Sequence, residues 1–269
     1  MQTYTFDYFE TVAICTPINV LIAPAIDNKY QVVVEAEAPV RKGLAIDVNG
    51  KGLGVASNLT FNSSQPIKVT VRLPQGVLQY TELNFVNSDL LINVTFSKSK
   101  GEIVKRGNGT MLISGLNSDL AKFSVAGSGN VVATGNASYT ELFNTGPGSL
   151  YFSGANGRVI VTQSQDGDTY LNPATDSVQI LGVETGNGTF SYTRGNCTLQ
   201  NPDGPGETGF ALLPCRPSGA IALPRPTMQW TCGLAVQGNF TCMGGGRYGP
   251  PSYSAQPCAL DSSALAMSA

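Results

Sequence analysis

The chain has 269 residues with a formal net charge of −2, and only 13% of them are charged; this gives no electrostatic case for nucleic acid or an anionic membrane as partner. Histidine is absent, which removes Ser-His-Asp and Cys-His catalysis, His-ligated zinc and the imidazole pH switch. The 31 glycines, spread among Ser, Thr and Asn, fit many short strands joined by turns, and no run approaches the ~18 apolar residues of a membrane-spanning helix.

Residues 3 to about 100 read as strands. TYTFDYF, VAICTPINVLIA, YQVVVEAEA, LAIDV, IKVTVRL and LLINVTF are β-branched or alternating runs separated by Gly, Pro, Asn and Asp. The first ten residues, MQTYTFDYFE, carry neither the basic nor the apolar region of a signal peptide, so secretion implies a leader already removed or trimmed.

Residues 101–195 contain an internal repeat. GNGTMLISG, GSGNVVATG, GPGSLYFSG, QDGDTYLNP and GNGTFSYTR align on Gly109, Gly129, Gly148, Gly167 and Gly188, at spacings of 20, 19, 19 and 21. Turn formers precede each glycine and small polar residues follow it. Met111, Val131, Leu150, Thr169 and Phe190 then form one column. Ile113, Ala133, Phe152, Leu171 and Tyr192 form another two residues on, so both share a strand face. Five such copies predict an all-β solenoid with coils of about 20 residues, with a jelly roll or sandwich as the structural rival. The glycines are read as coil corners where φ > 0 is needed, not as phosphate cradles, since no helix follows them.

The solenoid is assigned to residues 1–195. Residues 196–269 form an irregular extension dominated by Pro, Gly and Cys, with TMQWTCGLAVQGNFTC as one candidate hairpin. The six cysteines are Cys15, Cys197, Cys215, Cys232, Cys242 and Cys258. No C-x-x-C pair exists, so disulfides in an oxidising compartment are expected rather than zinc. Five of the six follow residue 196. That number is odd, so Cys15 must reach a tail cysteine if all are oxidised within one chain. Eight N-x-S/T sequons occur, at Asn58, Asn62, Asn93, Asn108, Asn136, Asn187, Asn196 and Asn239, where chance gives roughly three. Together with the cysteines they indicate a secreted or cell-surface glycoprotein.

The layout of residues 4–195 resembles the auto-transporter adhesin family with a head GIN domain. The matching pieces are FDYFETVAICTPINVLIAP, KYQVVVEAEAP, LAIDVNGKGLGV, PIKVTVRLPQGVLQYTELNF and the GSGNVVATG-type repeats. The resemblance implies a right-handed parallel β-helix and adhesion at a cell surface. It implies no catalytic residues and no cofactor. The Cys-rich tail and dense sequons depart from that pattern.

Candidate sites are few. Asp166 and Asp168 in QDGDT offer a weak Ca²⁺ site or a glycosidase-like carboxylate pair, but both fall in the repeat's turn columns. Lys98, Lys100, Lys105 and Arg106 cluster within SKSKGEIVKR and could meet an acidic polysaccharide, or simply form a solvated strand and turn. Trp230, Tyr248 and Tyr253 could stack on sugar rings or supply a small tail core. The expectation is therefore a non-catalytic structural or adhesive glycoprotein, self-assembling end to end through open solenoid ends. A carbohydrate-binding module and a polysaccharide lyase or hydrolase are the alternatives.

Overall fold

A computed structural model describes residues 1–84, 87–200, 212–215, 217–226, 228–237, 240, 242, 252–257 and 264–265. Among these, one short helix, Ala38–Gly43, interrupts an otherwise all-β chain. Eighteen strands join in one continuous sheet, which coils as a solenoid of about six turns.

Two parallel ladders line the solenoid. On the first, Met111, Val131, Leu150, Thr169 and Phe190 stand in register, as do Ile113, Ala133, Phe152, Leu171 and Tyr192. These are the two columns the repeat predicts. All ten side chains are buried except Phe190, which is partly so. On the second ladder, Ile103, Phe123, Leu142 and Val161 stack in the same manner. Phe123 and Phe152 meet across the interior with ring centroids 5.0 Å apart. Each such buried side chain contributes about 1.5–3 kcal/mol, and the columns pass that burial from coil to coil.

The glycine column has a different cause from the one the sequence suggested. None of the five central glycines has a positive φ. Instead, a Cβ on Gly129 would lie 2.0 Å from the Gly109 carbonyl oxygen, and one on Gly188 would lie 2.2 Å from that of Gly167. Turn stacks on turn too closely for any side chain. The left-handed conformation is used at the opposite corner, by Gly115 (φ 82°) and Gly154 (φ 122°).

Stacking order departs from chain order at the N-terminal end. Thr11–Ile14 pairs on one side with Gly52–Ser57 and on the other with Tyr80–Leu83. Val20–Pro24 likewise lies between Lys68–Leu73 and Leu90–Asn93. The first coil is thus inserted between the second and third. Antiparallel strands then close the ends. Leu44–Asn49 covers Gly52–Ser57, and Tyr30–Glu35 with Gln2–Phe6 covers Lys68–Leu73. At the far end Leu212–Pro214 covers Asn196–Gln200, a parallel rung lying just past residue 195. Such caps satisfy edge groups that would otherwise be free to pair with another chain.

The tail returns along the outside of the solenoid. Cys215 is bonded to Cys197, and the Ser218 amide donates to the Tyr192 carbonyl at 2.8 Å. Further on, Met228 and Trp230 pack on Leu91, Leu112 and Val132. The Asn19 amide donates to Thr231 Oγ1 at 2.9 Å. Thr231–Gln237, within the candidate hairpin TMQWTCGLAVQGNFTC, pairs with Phe61–Ser63 and Ser252–Pro257, so this strand is shared between body and tail. Cys242 is bonded to Cys15 across a separation of 227 residues. The tail is a strap fastened by a disulfide at each end of the coil stack.

Candidate functional site

A solenoid needs apolar side chains inside, not outside. Here the outward column of the first ladder is nonetheless Leu21, Leu91, Leu112, Val132, Tyr151 and Tyr170, followed by Ser191. The strap covers its lower half, where Trp230 is 8% exposed. The upper half is left to the two tyrosines. Their rings stack with centroids 4.5 Å apart and planes 10° from parallel, as one-rung-apart side chains in a ladder can. One further rung on, the column holds only Ser191. A groove of about 370 Å³ opens there, between Tyr151, Tyr170 and Ser191 on the solenoid and Ser218, Ala220, Ile221 and Ala222 on the strap.

Polar side chains border the tyrosines on both sides. Tyr170 donates its hydroxyl to Asp168 Oδ2 at 3.1 Å, and Asp168 Oδ1 accepts the Thr189 amide at 2.9 Å. On the other side Asn172 Nδ2 donates to Ser153 Oγ at 3.1 Å, and Thr193 Oγ1 donates to Asn172 Oδ1 at 2.7 Å. Burial, and then the charge of Asp168, push the Tyr170 phenol up to about 12, so it is a hydrogen-bond donor at any physiological pH.

The residues singled out in the sequence do not converge. Asp166 accepts from Asn187 Nδ2 at 3.1 Å, rung to rung, so Asp166 and Asp168 work as turn and strand-edge acceptors. Lys98 is exposed, Lys100 pairs with Glu102 at 2.5 Å, and Arg106 pairs with Glu82. Lys105 is no surface residue: its side chain is fully buried and its Nζ donates to the Gly107 carbonyl. The alternation of the strand turns Lys105 inward between Leu83 and Val125. Of the sequon asparagines, Asn58, Asn62, Asn108, Asn136, Asn187 and Asn196 are exposed and Asn93 is half-buried. Cys232 is also disulfide-bonded. Asn239, Tyr248 and Cys258 lie outside the described residues. Among the described residues no three acidic or cysteine side chains gather as metal ligands, and no helix is long and apolar enough to cross a membrane.

One feature escapes the sequence entirely. Lys105, Asn144 and Gln163 share an inward column of the second ladder, and all three are fully buried. Asn144 Nδ2 reaches the Gly148 carbonyl at 3.0 Å and the Asp168 carbonyl at 3.1 Å, bracing the glycine turns from beneath. Neither amide atom of Gln163 has a hydrogen-bond partner.

The stacked coils, turn glycines and antiparallel caps define a parallel β-solenoid. The family model described as "Putative auto-transporter adhesin, head GIN domain" matches residues 8–193, and the chain belongs to that family. Among solved structures, it is similar to an adhesin, so described as putative, from Bacteroides fragilis, with 19% identity and a TM-score of 0.55 over 74% of this chain and 95% of that one. It is also similar to a protein described as a putative lipid binding protein from Parabacteroides distasonis, with 13% identity and a TM-score of 0.50 over 74% of this chain and 92% of that one. At these identities the likeness concerns the fold. No curated protein matches the sequence.

Proposed function

We propose that the protein is an extracellular, N-glycosylated adhesive protein that works as a binding surface and turns over no substrate. Membership of the adhesin family supports the adhesive part. The observation that carries the reading is the outward stripe ending in Tyr151 and Tyr170. Coil stacking does not require it, the strap takes only part of it, and its remainder faces an open groove. Contiguous apolar surface with a polar border is what recognition sites present. The disulfides Cys15–Cys242 and Cys197–Cys215, with Cys232 also bonded, fit an oxidising compartment, and six sequon asparagines are exposed. Asp166 and Asp168, the carboxylates closest together in the repeat, are each engaged with the next rung, which supports a structural role for them rather than the paired one of glycoside hydrolysis.

The test is solid-phase adhesion. Immobilised full-length chain should retain cells or matrix saturably, in competition with soluble chain and without altering the mass of the retained material. Absence of saturable retention would refute the adhesive role, and released product would refute the non-catalytic one.

Self-assembly is a second reading, favoured by one edge. Among the described residues Gln2–Phe6 pairs only with Tyr30–Glu35 and is largely exposed, so it can add a strand from another copy. Light scattering that rises with concentration, and falls when Thr3 and Thr5 become proline, supports it; a monomer at all concentrations rejects it.

A further inference from the structure

We infer that the open end of the tyrosine stack is a slot for one hexopyranose ring, a step that deepens the adhesive reading and rests on it. One face of Tyr170 is taken by Tyr151, with centroids 4.5 Å apart. The next rung, Phe190–Tyr192, puts Ser191 where a third ring would continue the stack. Among the described residues no later rung joins this ladder. With rungs spaced about 4.8 Å apart, the missing ring leaves a gap one ring thick beside the second face of Tyr170. Ser191 forms its floor, and Ala220 to Ala222 of the strap stand opposite.

The chemistry around the groove favours a sugar over other flat ligands. A pyranose has one face of C–H groups and a rim of hydroxyls. The groove has an aromatic face, and the polar side chains of Asp168 and Asn172 stand two residues to either side of Tyr170 along the chain, beyond the residues that line the groove itself. Asp168 uses two of its acceptor positions on Tyr170 and Thr189, and a carboxylate has about four. Asn172 gives one amide hydrogen to Ser153 and accepts one hydroxyl from Thr193, which leaves it one donor and one acceptor. A purely aromatic ligand would strip water from these groups without replacing it. An anionic one would meet the carboxylate of Asp168. The groove's 370 Å³ lies near the lower end of the about 300–1,000 Å³ of small-molecule sites, enough for a single ring and its substituents. The ring can belong to a partner's glycan or to a polysaccharide, since both offer the same face.

The experiment is a printed array of neutral N-glycans and neutral polysaccharide oligomers, probed with the full chain and three variants. Tyr170→Ala removes the platform. Ser191→Tyr fills the slot while keeping the stack. Lys98→Ala, at an exposed position, is the control. Circular dichroism verifies that each is folded. Wild type should be retained on one class of pyranose glycan, and both slot variants should bind about two- to tenfold more weakly, the worth of one ring-stacking contact. Lys98→Ala should match wild type. Whether the retained class is N-glycan or polysaccharide identifies the source, and either supports the slot. Retention of no pyranose, or Ser191→Tyr binding as wild type does, overturns it. If cells adhere to wild type and to both slot variants equally, the slot is wrong and the adhesive role stands; if wild type fails to adhere, the adhesive role itself fails.

Discussion

Replacing Lys105 by methionine should stabilise the protein at neutral pH and flatten its stability between pH 8 and 10. The Lys105 side chain is fully buried in the solenoid interior. Burial pulls its ammonium down from 10.5 to about 8, against the opposing attraction of Asp89. A folded-state value below the unfolded one means that the unfolded chain holds the proton more tightly. Between about 8 and 10.5 the unfolded state therefore binds more protons, and stability rises with pH across that window. Below about 8 the full penalty applies, about 3 kcal/mol at roughly 1.4 kcal/mol per pH unit. Lys105→Met removes the penalty. It also removes the hydrogen bond to the Gly107 carbonyl and the counter-charge of Asp89, whose carboxyl burial already holds above its ordinary value. These losses offset about 1–2 kcal/mol. The net expectation is a gain of about 1–2 kcal/mol at pH 7, or ~2–8 °C in Tm for a chain of this size. Urea unfolding at pH 7, 8, 9 and 10 measures it. A wild-type curve that does not rise between pH 8 and 10, or a variant less stable than wild type at pH 7, would show that the buried ammonium carries no such penalty.

Three further perturbations probe the architecture. Gly129→Ala sets a Cβ 2.0 Å from the Gly109 carbonyl oxygen and should cost more than 3 kcal/mol, read as a large drop in Tm; an alanine that costs under 1 kcal/mol would show that the turns can spread. Gln163→Leu removes a buried amide with no partner and should be neutral or stabilising by about 1–2 kcal/mol in urea unfolding, whereas a loss above 2 kcal/mol would mean that the amide is satisfied. The Cys15→Ser, Cys242→Ser double variant opens the link that holds the strap to the N-terminal end of the coil stack and should lower stability by about 2–5 kcal/mol. Trp230 is the only tryptophan and is buried between the strap that carries it and the solenoid, so its emission should shift to the red in that variant. Unchanged emission would mean that the strap holds without the bond.

How much of this was legible depended on whether a feature repeats along the chain. The inward columns Met111 to Phe190 and Ile113 to Tyr192 could be read from the alignment of five copies, because each coil presents the same face at the same step. The N-terminal coils gave no such period, since Thr11–Pro24 stacks between two later segments and neighbouring rungs are not neighbours in sequence. That Cys15 reaches the tail followed from an odd number of tail cysteines, but the choice of Cys242 depends on where the strap runs. The basic cluster misled because charge says nothing about which face of a strand a residue occupies: Lys105 alternates inward and its neighbours pair with Glu82 and Glu102. The tyrosine groove had a signal in the same repeat, the outward column between the two inward ones. Its meaning required knowing that the strap covers Leu112 and Val132 and leaves Tyr170 open.

The solenoid is proposed to bind through the uncovered end of its outward stripe. Saturable retention of wild-type chain on a cell or matrix surface, compared with a Tyr151→Ser, Tyr170→Ser double variant of unchanged fold, tests it most directly. The double variant should lose most of the retention while the surface material keeps its mass. Equal retention of the two proteins, or release of a product by wild type, would contradict it.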